Sequence, residues 1–331
     1  FRACFAGVYI FLSTSLLTCF LIRKPPALHR FLKNTANYFQ GTFLYILIVI
    51  VTTDLCRLIL KHTLHPAWMY SRKAFVVTGA VCTLLIIGVS LYGIFNQWNI
   101  KTKTYDVKID KQVKGMDSLK IVLLADIHFG YSIGEKHAGL LVKKINAEDP
   151  DLICIAGDIF DTAVPTNKSL RLYYDFLSQL TSSECRHVVI VSGNHDSPTL
   201  LEAPKGILEN FGVHVIGGAE SPEDEVIELK DKAGNLEGVV CAVPFLRERD
   251  ILRLKDDSTL SRAEEIQLAV ENHYKSVVKA AIDRMGAKRV PLIATGHLFT
   301  VGSPKGEDVN ELYIGATGAV PVNIFPSEID Y

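Results

Sequence analysis

Four short polar motifs, each directly after an apolar run, lie in the last two-thirds of this 331-residue chain. Aliphatic runs that end in Gly, Asp, Asn or His are typical of buried strands that lead into a loop. Helix-like segments alternate with these runs, which predicts a layered α/β domain. Because open α/β sheets gather their sites at the carboxyl ends of strands, we expect the motifs to meet. They are Asp126-Ile127-His128, Gly157-Asp158-Ile159-Phe160-Asp161, Gly193-Asn194-His195-Asp196 and Gly296-His297.

The same patterns predict the remaining elements of the domain. Predicted strands are residues 120–125, 152–156, 187–191 and 292–294, with a hairpin of 225–229 and 238–243 and a short strand at 107–109. Predicted helices lie near residues 134–145, 169–180, 199–210 and 261–284.

The residue types of the four motifs suit phosphate ester hydrolysis. That reaction needs a nucleophilic water and positive charge on the phosphoryl oxygens, and two divalent ions about 3.5–4 Å apart supply both. Such a pair needs a bridging carboxylate and a mixed shell of oxygen and imidazole ligands. This shell suits Mn, Fe or Zn better than Ca or Mg.

Each motif taken alone has an ordinary interpretation. Asp126 and His128 can be a solvated turn, Asp158 and Asp161 a helix-capping turn, and His297 a core histidine. Gly-Asn is also common turn chemistry. All four motifs in order, each closing an apolar strand, favour the metal site.

The ordered motifs resemble those of the calcineurin-like metallophosphoesterase superfamily, which implies a layered β-sandwich flanked by helices. Residues 1–160 resemble bacterial membrane metallophosphoesterases, which carry apolar helices before a start like residues 119–128. Residues 161–331 resemble the SbcD family of nuclease subunits. Because the likeness changes near Asp161, a genuine gene product and a recombined or misassembled gene both stay open as explanations. The SbcD likeness rests on residues 186–198, 241–247 and 294–298.

The resemblance implies five metal ligands. One ion is held by the Asp-x-His pair, a bridging aspartate serves both ions, and an asparagine and a histidine serve the second. In this sequence they are Asp126, His128, Asp158, Asn194 and His297.

Three further residues take catalytic roles by the same resemblance. His195 faces the phosphate as a proton donor or charge stabiliser, and Asp196 orients its ring. Asp161 lies behind the ligands or faces the substrate.

The resemblance also implies a Gly-His-x-His motif after His297, whose two histidines complete both shells. The sequence stops at Tyr331 without it, so we expect an incomplete domain and weak activity. An SbcC-like ATPase partner and a DNA substrate follow only if the nuclease resemblance holds.

Three uncharged runs predict about three membrane-spanning helices. They are residues 3–22, 35–53 and 74–95. Residues 1–100 hold nine Lys or Arg and one acidic residue, which leaves 26 basic and 35 acidic residues in the remainder. The loop charges favour the cytoplasmic side of the membrane for the catalytic domain. We therefore expect a membrane region at 1–97, a linker at 98–118 and a metallophosphoesterase domain at 119–331.

Three classes of function remain open at this point. The first is a metal-dependent phosphodiesterase, with a DNA nuclease as its sharpest version. The second is a membrane-tethered phosphatase of lipid or nucleotide phosphates, and the third is a non-catalytic membrane fragment. The acidic soluble part shows no basic patch for nucleic acid. The seven scattered cysteines indicate free thiols and not a disulfide framework.

Overall fold

The computed structural model describes residues 2–111, 113, 116–130, 133–181, 185–252, 260–301 and 320–331. The chain divides into two compact units, Phe1–Lys101 and Thr102–Tyr331. The first unit is helical and the second is a mixture of strands and helices.

The first unit consists of three long helices and a short turn of 3-10 helix. They are α1 (Arg2–Leu21), α2 (Pro26–Thr63), the 3-10 turn Ala67–Tyr70 and α3 (Arg72–Asn96). By length and composition α2 and α3 could each cross a membrane, and their most apolar windows are not buried within the structure. Over the side chains of α1 that the structure describes, the apolar part is Ala6–Leu21, which is shorter than the spanning helices α2 and α3. Two of the three predicted spans therefore reach a spanning length within the described part of the chain.

Four parallel strands form the first sheet of the second unit, in the order β1-β2-β3-β4. The strands are β1 (Ile121–Ala125), β2 (Leu152–Ala156), β3 (His187–Val191) and β4 (Val213–Ile216). The connecting helices are α4 (Glu135–Glu148), α5 (Asn167–Thr181), α6 (Pro198–Glu202) and α7 (Lys205–Leu208), followed by a 3-10 turn at Glu209–Phe211. Ala125, Ala156 and Val191 pair in register, so the first three strands end at one level.

The second sheet has three strands in the order β5-β6-β7. The elements are β5 (Val226–Lys230), β6 (Leu236–Val243), α8 (Glu248–Ile251), α9 (Arg262–Met285) and β7 (Leu292–Gly296). The predicted hairpin is confirmed, since β5 and β6 pair antiparallel, whereas β6 and β7 pair parallel. A further pair, β8 (Thr300–Val301) and β9 (Val320–Pro321), precedes a 3-10 turn at Val322–Ile324.

The two sheets pack face to face, and helices cover their outer faces. The inner layer joins Cys154 and Val189 of the first sheet to Val240 and Ala242 of the second. Residues of α4 and α5 bury the outer face of the first sheet, and residues of α9 that of the second. This confirms the predicted α/β architecture of helices flanking packed sheets.

Two local predictions are wrong. The helix expected near residues 199–210 is broken into α6, α7 and a 3-10 turn. Pro204 precedes α7 and, having no N–H, cannot continue the hydrogen bonding of α6. Residues 107–109 do not form a strand, because no described strand lies beside them to pair with.

Candidate metal centre

Backbone hydrogen bonds tie the loops that follow β1, β2 and β3 to one another. Asp126 N–H donates to Gly157 O at 3.2 Å, and His128 N–H donates to Asp158 O at 2.9 Å. Gly157 N–H in turn donates to Val191 O at 3.0 Å. The first three predicted motifs therefore lie side by side at the carboxyl edge of the first sheet.

Three of the candidate ligands have left-handed backbone conformations, which non-glycine residues rarely adopt. The φ angles are 53° at Asp126, 52° at His128 and 49° at Asp158. Such conformations cost on the order of 1–3 kcal/mol each and concentrate at functional sites. At these three residues the backbone has a strained conformation that directs the side chains towards one another.

A first ligand cluster joins Asp126, His128 and Asp158. Nε2 of His128 lies 4.0 Å from Oδ1 of Asp126 and 3.6 Å from Oδ2 of Asp158. One ligand atom from each residue lies within 4.8 Å of the other two. Two carboxylates and one imidazole can hold a divalent ion here.

A second cluster lies on the other side of Asp158. Nε2 of His297 lies 3.6 Å from Oδ1 of Asp158 and 3.1 Å from Oδ1 of Asn194. Nδ1 of His297 lies 2.9 Å from the carbonyl oxygen of Ala156. Because a carbonyl only accepts, that contact keeps the ring proton on Nδ1 and leaves the Nε2 lone pair facing the cluster.

The chemistry of the second cluster fits a cation. The Asn194 oxygen faces only acceptors, namely the Asp158 carboxylate and His297 Nε2. Turning the amide over would let its nitrogen donate to both Asp158 oxygens at 3.2 Å. In the first orientation, a cation bound among these atoms would be coordinated by the Asn194 oxygen. In the turned orientation, the Asn194 nitrogen donates hydrogen bonds to Asp158 and no cation is needed. Amide oxygen, carboxylate and neutral imidazole are all ligands of divalent metals.

Asp158 stands between the two clusters and is buried, with 4% of its surface exposed. Its Oδ2 atom faces His128 and its Oδ1 atom faces His297. A carboxylate that presents a separate oxygen to each of two clusters has the arrangement that a bridging ligand requires.

Two glycines leave the space that this arrangement needs. A Cβ at Gly193 would lie 2.1 Å from Oδ1 of Asp158, and one at Gly157 would lie 2.4 Å from the His297 ring. Any larger residue at either position would displace a candidate ligand.

His195 lies beside the first cluster with about half of its side chain exposed. Its backbone N–H donates to Oδ1 of Asp158 at 2.9 Å. Its ring meets the His128 ring edge-on, with 5.4 Å between the ring centroids. The ring therefore faces both the ligands and the solvent from which a substrate would approach.

Asp196 does not have the contact that we expected with the His195 ring. Its buried carboxylate accepts from three backbone N–H groups, those of Ile159 at 3.1 Å, Phe160 at 3.0 Å and Gly193 at 2.8 Å. Among the described residues no hydrogen bond joins it to the His195 ring. Asp196 instead fastens the loop after β2 to the loop after β3, which makes it a positioning residue.

Asp161 lies behind His128. Its Oδ1 atom is 3.9 Å from Nδ1 of His128, on the ring edge opposite the first cluster. The 3.9 Å separation is longer than a hydrogen bond, so the carboxylate acts on the imidazole here through its charge. Gly130 makes room for it, since a Cβ there would lie 1.6 Å from Oδ2 of Asp161.

Two residues beside the site were not predicted from the sequence. Phe245 meets the His297 ring edge-on at 6.2 Å, and Arg247 donates to Asp196 O at 3.0 Å. Their position in the sequence could have indicated a role in the site, since they follow the apolar strand β6 as the four motifs follow theirs.

Packed sheets with carboxylates, imidazoles and an amide at one strand edge are the arrangement typical of metal-dependent phosphoesterases. The chain belongs to the calcineurin-like phosphoesterase family, whose family model matches residues 119–297. The family binds divalent metals, and its members are hydrolases.

Curated relatives support the same assignment. The chain is 30% identical to the SbcD subunit of nuclease SbcCD from Escherichia coli K12 over 217 residues, which cover 63% of this chain and 53% of that protein. It is 31% identical to the SbcD subunit from Rhodobacter capsulatus over 226 residues, or 63% and 55% of the two chains. It is also 33% identical to an uncharacterized metallophosphoesterase of Campylobacter jejuni over 115 residues, or 34% and 29%. The chain spans about half the length of the SbcD subunits it matches.

Proposed function

We propose that this chain hydrolyses phosphodiester bonds with the help of two divalent ions, and that its substrate is DNA. The observation that carries the proposal is the pair of clusters on opposite oxygens of Asp158. A single ion would need only one of them.

The proposed ligands follow from the two clusters. Asp126 and His128 would hold one ion, Asn194 and His297 would hold the other, and Asp158 would serve both. When bound, the ions lower the pKa of the attacking water and hold the phosphoryl oxygens. The mixed oxygen and imidazole donors favour manganese, with iron or zinc as alternatives.

His195 is proposed to donate a proton or a hydrogen bond to the phosphate. Its half-exposed ring is not needed as a ligand in either cluster, and its backbone N–H, which donates to Asp158, holds the residue in place and leaves the ring nitrogens for the phosphate. Asp161 orients His128, and Asp196 keeps the loops after β2 and β3 in register with each other.

Support for DNA and for a partner comes from the relatives. Those with the longest matches are named as subunits of the nuclease SbcCD. We accordingly propose an SbcC-like ATPase subunit as the partner. Family membership alone does not specify manganese, DNA or this partner, so all three are proposed here.

The helical unit favours a second candidate, a membrane-tethered phosphatase of lipid or nucleotide phosphates. Two apolar helices of spanning length support membrane association. We propose residues 1–97 as the membrane region, 98–118 as a linker and 119–331 as the catalytic domain, on the cytoplasmic side. The charges of the loops support that side.

The test compares substrates and one matched pair of variants. The full chain, and the same chain carrying a Gly-His-x-His segment after Tyr331, are incubated with Mn²⁺ and bis-p-nitrophenyl phosphate, linear duplex DNA or a lipid phosphate monoester. We expect Mn²⁺-dependent turnover of the diester and DNA, which the segment raises at least about tenfold. His195→Ala should abolish turnover and His62→Ala in α2 should not.

Each other outcome has a definite meaning. Hydrolysis of the lipid monoester without the diester would favour the membrane phosphatase. Absence of both metal binding and turnover in both chains would favour the non-catalytic membrane fragment and contradict the proposal.

A further inference from the structure

Arg247 is linked to the second cluster through two contacts, each with a residue that neighbours a candidate ligand. Its Nη2 group donates to Asp196 O at 3.0 Å, and its guanidinium lies over the Phe245 ring, 5.8 Å from the centroid. Phe245 meets the His297 ring edge-on, and its N–H donates to Ser192 O at 2.9 Å. The guanidinium is thus anchored on the same two loops that carry the second-cluster ligands.

Arg247 differs from neighbouring arginines in its charge pairing. Arg249 pairs with Asp250 at 3.4 Å, and Arg262 pairs with Glu248 at 2.7 Å. Among the residues that the structure describes, no carboxylate pairs with Arg247. A guanidinium has five N–H donors, and the Asp196 carbonyl takes one of them. Arg247 therefore keeps charge and donors available to a ligand.

A phosphodiester substrate needs such a group at this place. The site is rich in carboxylates, including Asp126, Asp158 and Asp161, which repel an anion. A guanidinium binds phosphate oxygens through paired, charge-assisted hydrogen bonds. Because Phe245 and the Asp196 carbonyl already restrict this side chain, binding costs it less conformational entropy than it would cost an unrestrained arginine.

We propose that Arg247 binds a non-bridging phosphate oxygen of the substrate beside the cluster of Asn194 and His297. This inference rests on the proposed function, because it assigns the substrate contact of the same site. Arg247 is a substrate-binding residue here, and neither cluster includes it as a metal ligand.

A purely structural role predicts different measurements. If Arg247 only held the Asp196 loop, its loss would lower the free energy of unfolding and weaken Mn²⁺ binding through displaced ligands. A substrate-binding role instead lowers phosphate affinity and leaves Mn²⁺ affinity unchanged. The two roles therefore separate when metal and phosphate are titrated independently.

The experiment uses the full chain and inorganic phosphate as the probe. Mn²⁺ affinity is measured first by calorimetry, and phosphate is then titrated into the Mn²⁺-loaded protein. We expect Arg247→Gln to weaken phosphate binding by about tenfold or more, and Arg247→Lys to lie between it and the unchanged chain. Arg249→Gln removes the same charge from an exposed side chain two residues away and should change nothing. Thermal unfolding of each variant is recorded alongside.

The outcomes distinguish this inference from the proposed function. Failure to bind Mn²⁺ by both the unchanged chain and the chain extended with the Gly-His-x-His segment would overturn the proposed function itself. Normal Mn²⁺ binding with equal phosphate affinity in Arg247→Gln and the unchanged chain would overturn only the role of Arg247. So would normal Mn²⁺ binding without any phosphate binding by the unchanged chain, or loss of Mn²⁺ affinity in both Arg247 variants.

Discussion

Nε2 of His297 lies 3.6 Å from Oδ1 of Asp158, although the two residues follow strands of different sheets. Asp158 comes after β2 in the first sheet, and His297 comes after β7 in the second. The second ligand cluster therefore exists only because the two sheets pack face to face with these strand ends at the same edge.

Asp158 should matter more for metal binding than Asp161. Asp158→Asn removes a carboxylate that faces both clusters, whereas Asp161→Asn disturbs only the orientation of His128. We expect Asp161→Asn to weaken Mn²⁺ binding about tenfold, and Asp158→Asn to weaken it by more than about 100-fold. Calorimetry on the full chain measures both, with Asp175→Asn on α5 as the control. Equal losses in the two site variants would contradict the bridging role.

Gly193→Ala should abolish metal binding and also destabilise the loop that carries Asp158. The added Cβ would lie 2.1 Å from Oδ1 and 2.2 Å from the backbone nitrogen of Asp158, so both this side chain and its loop backbone must shift. The matched control is Gly139→Ala in α4, where a Cβ meets nothing within 4 Å. That control should stabilise the helix by roughly 0.5–1 kcal/mol. Retained Mn²⁺ binding in Gly193→Ala would show that Asp158 is not a ligand.

Asp196→Asn should destabilise the α/β unit. The change replaces a charged acceptor of three backbone N–H bonds with an amide that offers one oxygen, so at least one buried donor loses its partner. We expect a loss of about 3 kcal/mol, the upper end for hydrogen bonds to a charged group. Denaturant unfolding with EDTA present measures it. Asp175→Asn, at an exposed surface ion pair, should cost below about 1 kcal/mol. A similar small loss in both variants would argue against the positioning role.

Stability should fall as the pH drops through the range below 6.5, because burial lowers the pKa of both His187 and His214 from that ordinary value. A lowered pKa in the folded state means that the unfolded chain binds protons first, so the stabilisation present above pH 6.5 is lost on acidification. Nε2 of His187 donates to Lys230 O at 3.0 Å, and its buried Nδ1 has no described partner. Protonation of the His187 ring would add a second N–H donor to it, at the buried Nδ1 atom.

The measurement is the free energy of unfolding against pH in EDTA, so that metal loss does not contribute. His187→Gln combined with His214→Gln should flatten the acid limb, and His62→Gln should leave it unchanged. An acid limb of the same slope in the double variant would exclude these two groups as its cause.

The full chain should sediment with membranes and need detergent for extraction. Helices α2 and α3 expose large apolar side chains such as Leu84 and Phe95, which water does not favour. Ultracentrifugation after a carbonate wash, which removes peripheral proteins, checks this. Recovery in the soluble fraction without detergent would contradict the proposed membrane region.

The strands and the gathering of the motifs could be predicted because both depend on local pattern. β2 and β3 begin and end where the aliphatic runs do, since a buried parallel strand is apolar on both faces. Register between neighbouring strands then places their ends together. The sequence also contains the reason for the break at Pro204, because proline interrupts helical hydrogen bonding, and the predicted helix at 199–210 did not take it into account.

Sequence alone determined the order of elements, the family and the ligand types, because apolar periodicity and residue chemistry are written along the chain. Tertiary structure alone decided which atoms meet. Three features depend on left-handed loop backbones and on the packing of the two sheets. Asp158 presents a different oxygen to each cluster, the Asp196 carboxylate accepts from three backbone N–H groups, and Arg247 contacts Asp196. Contacts between distant segments follow from that packing geometry, which no local pattern contains.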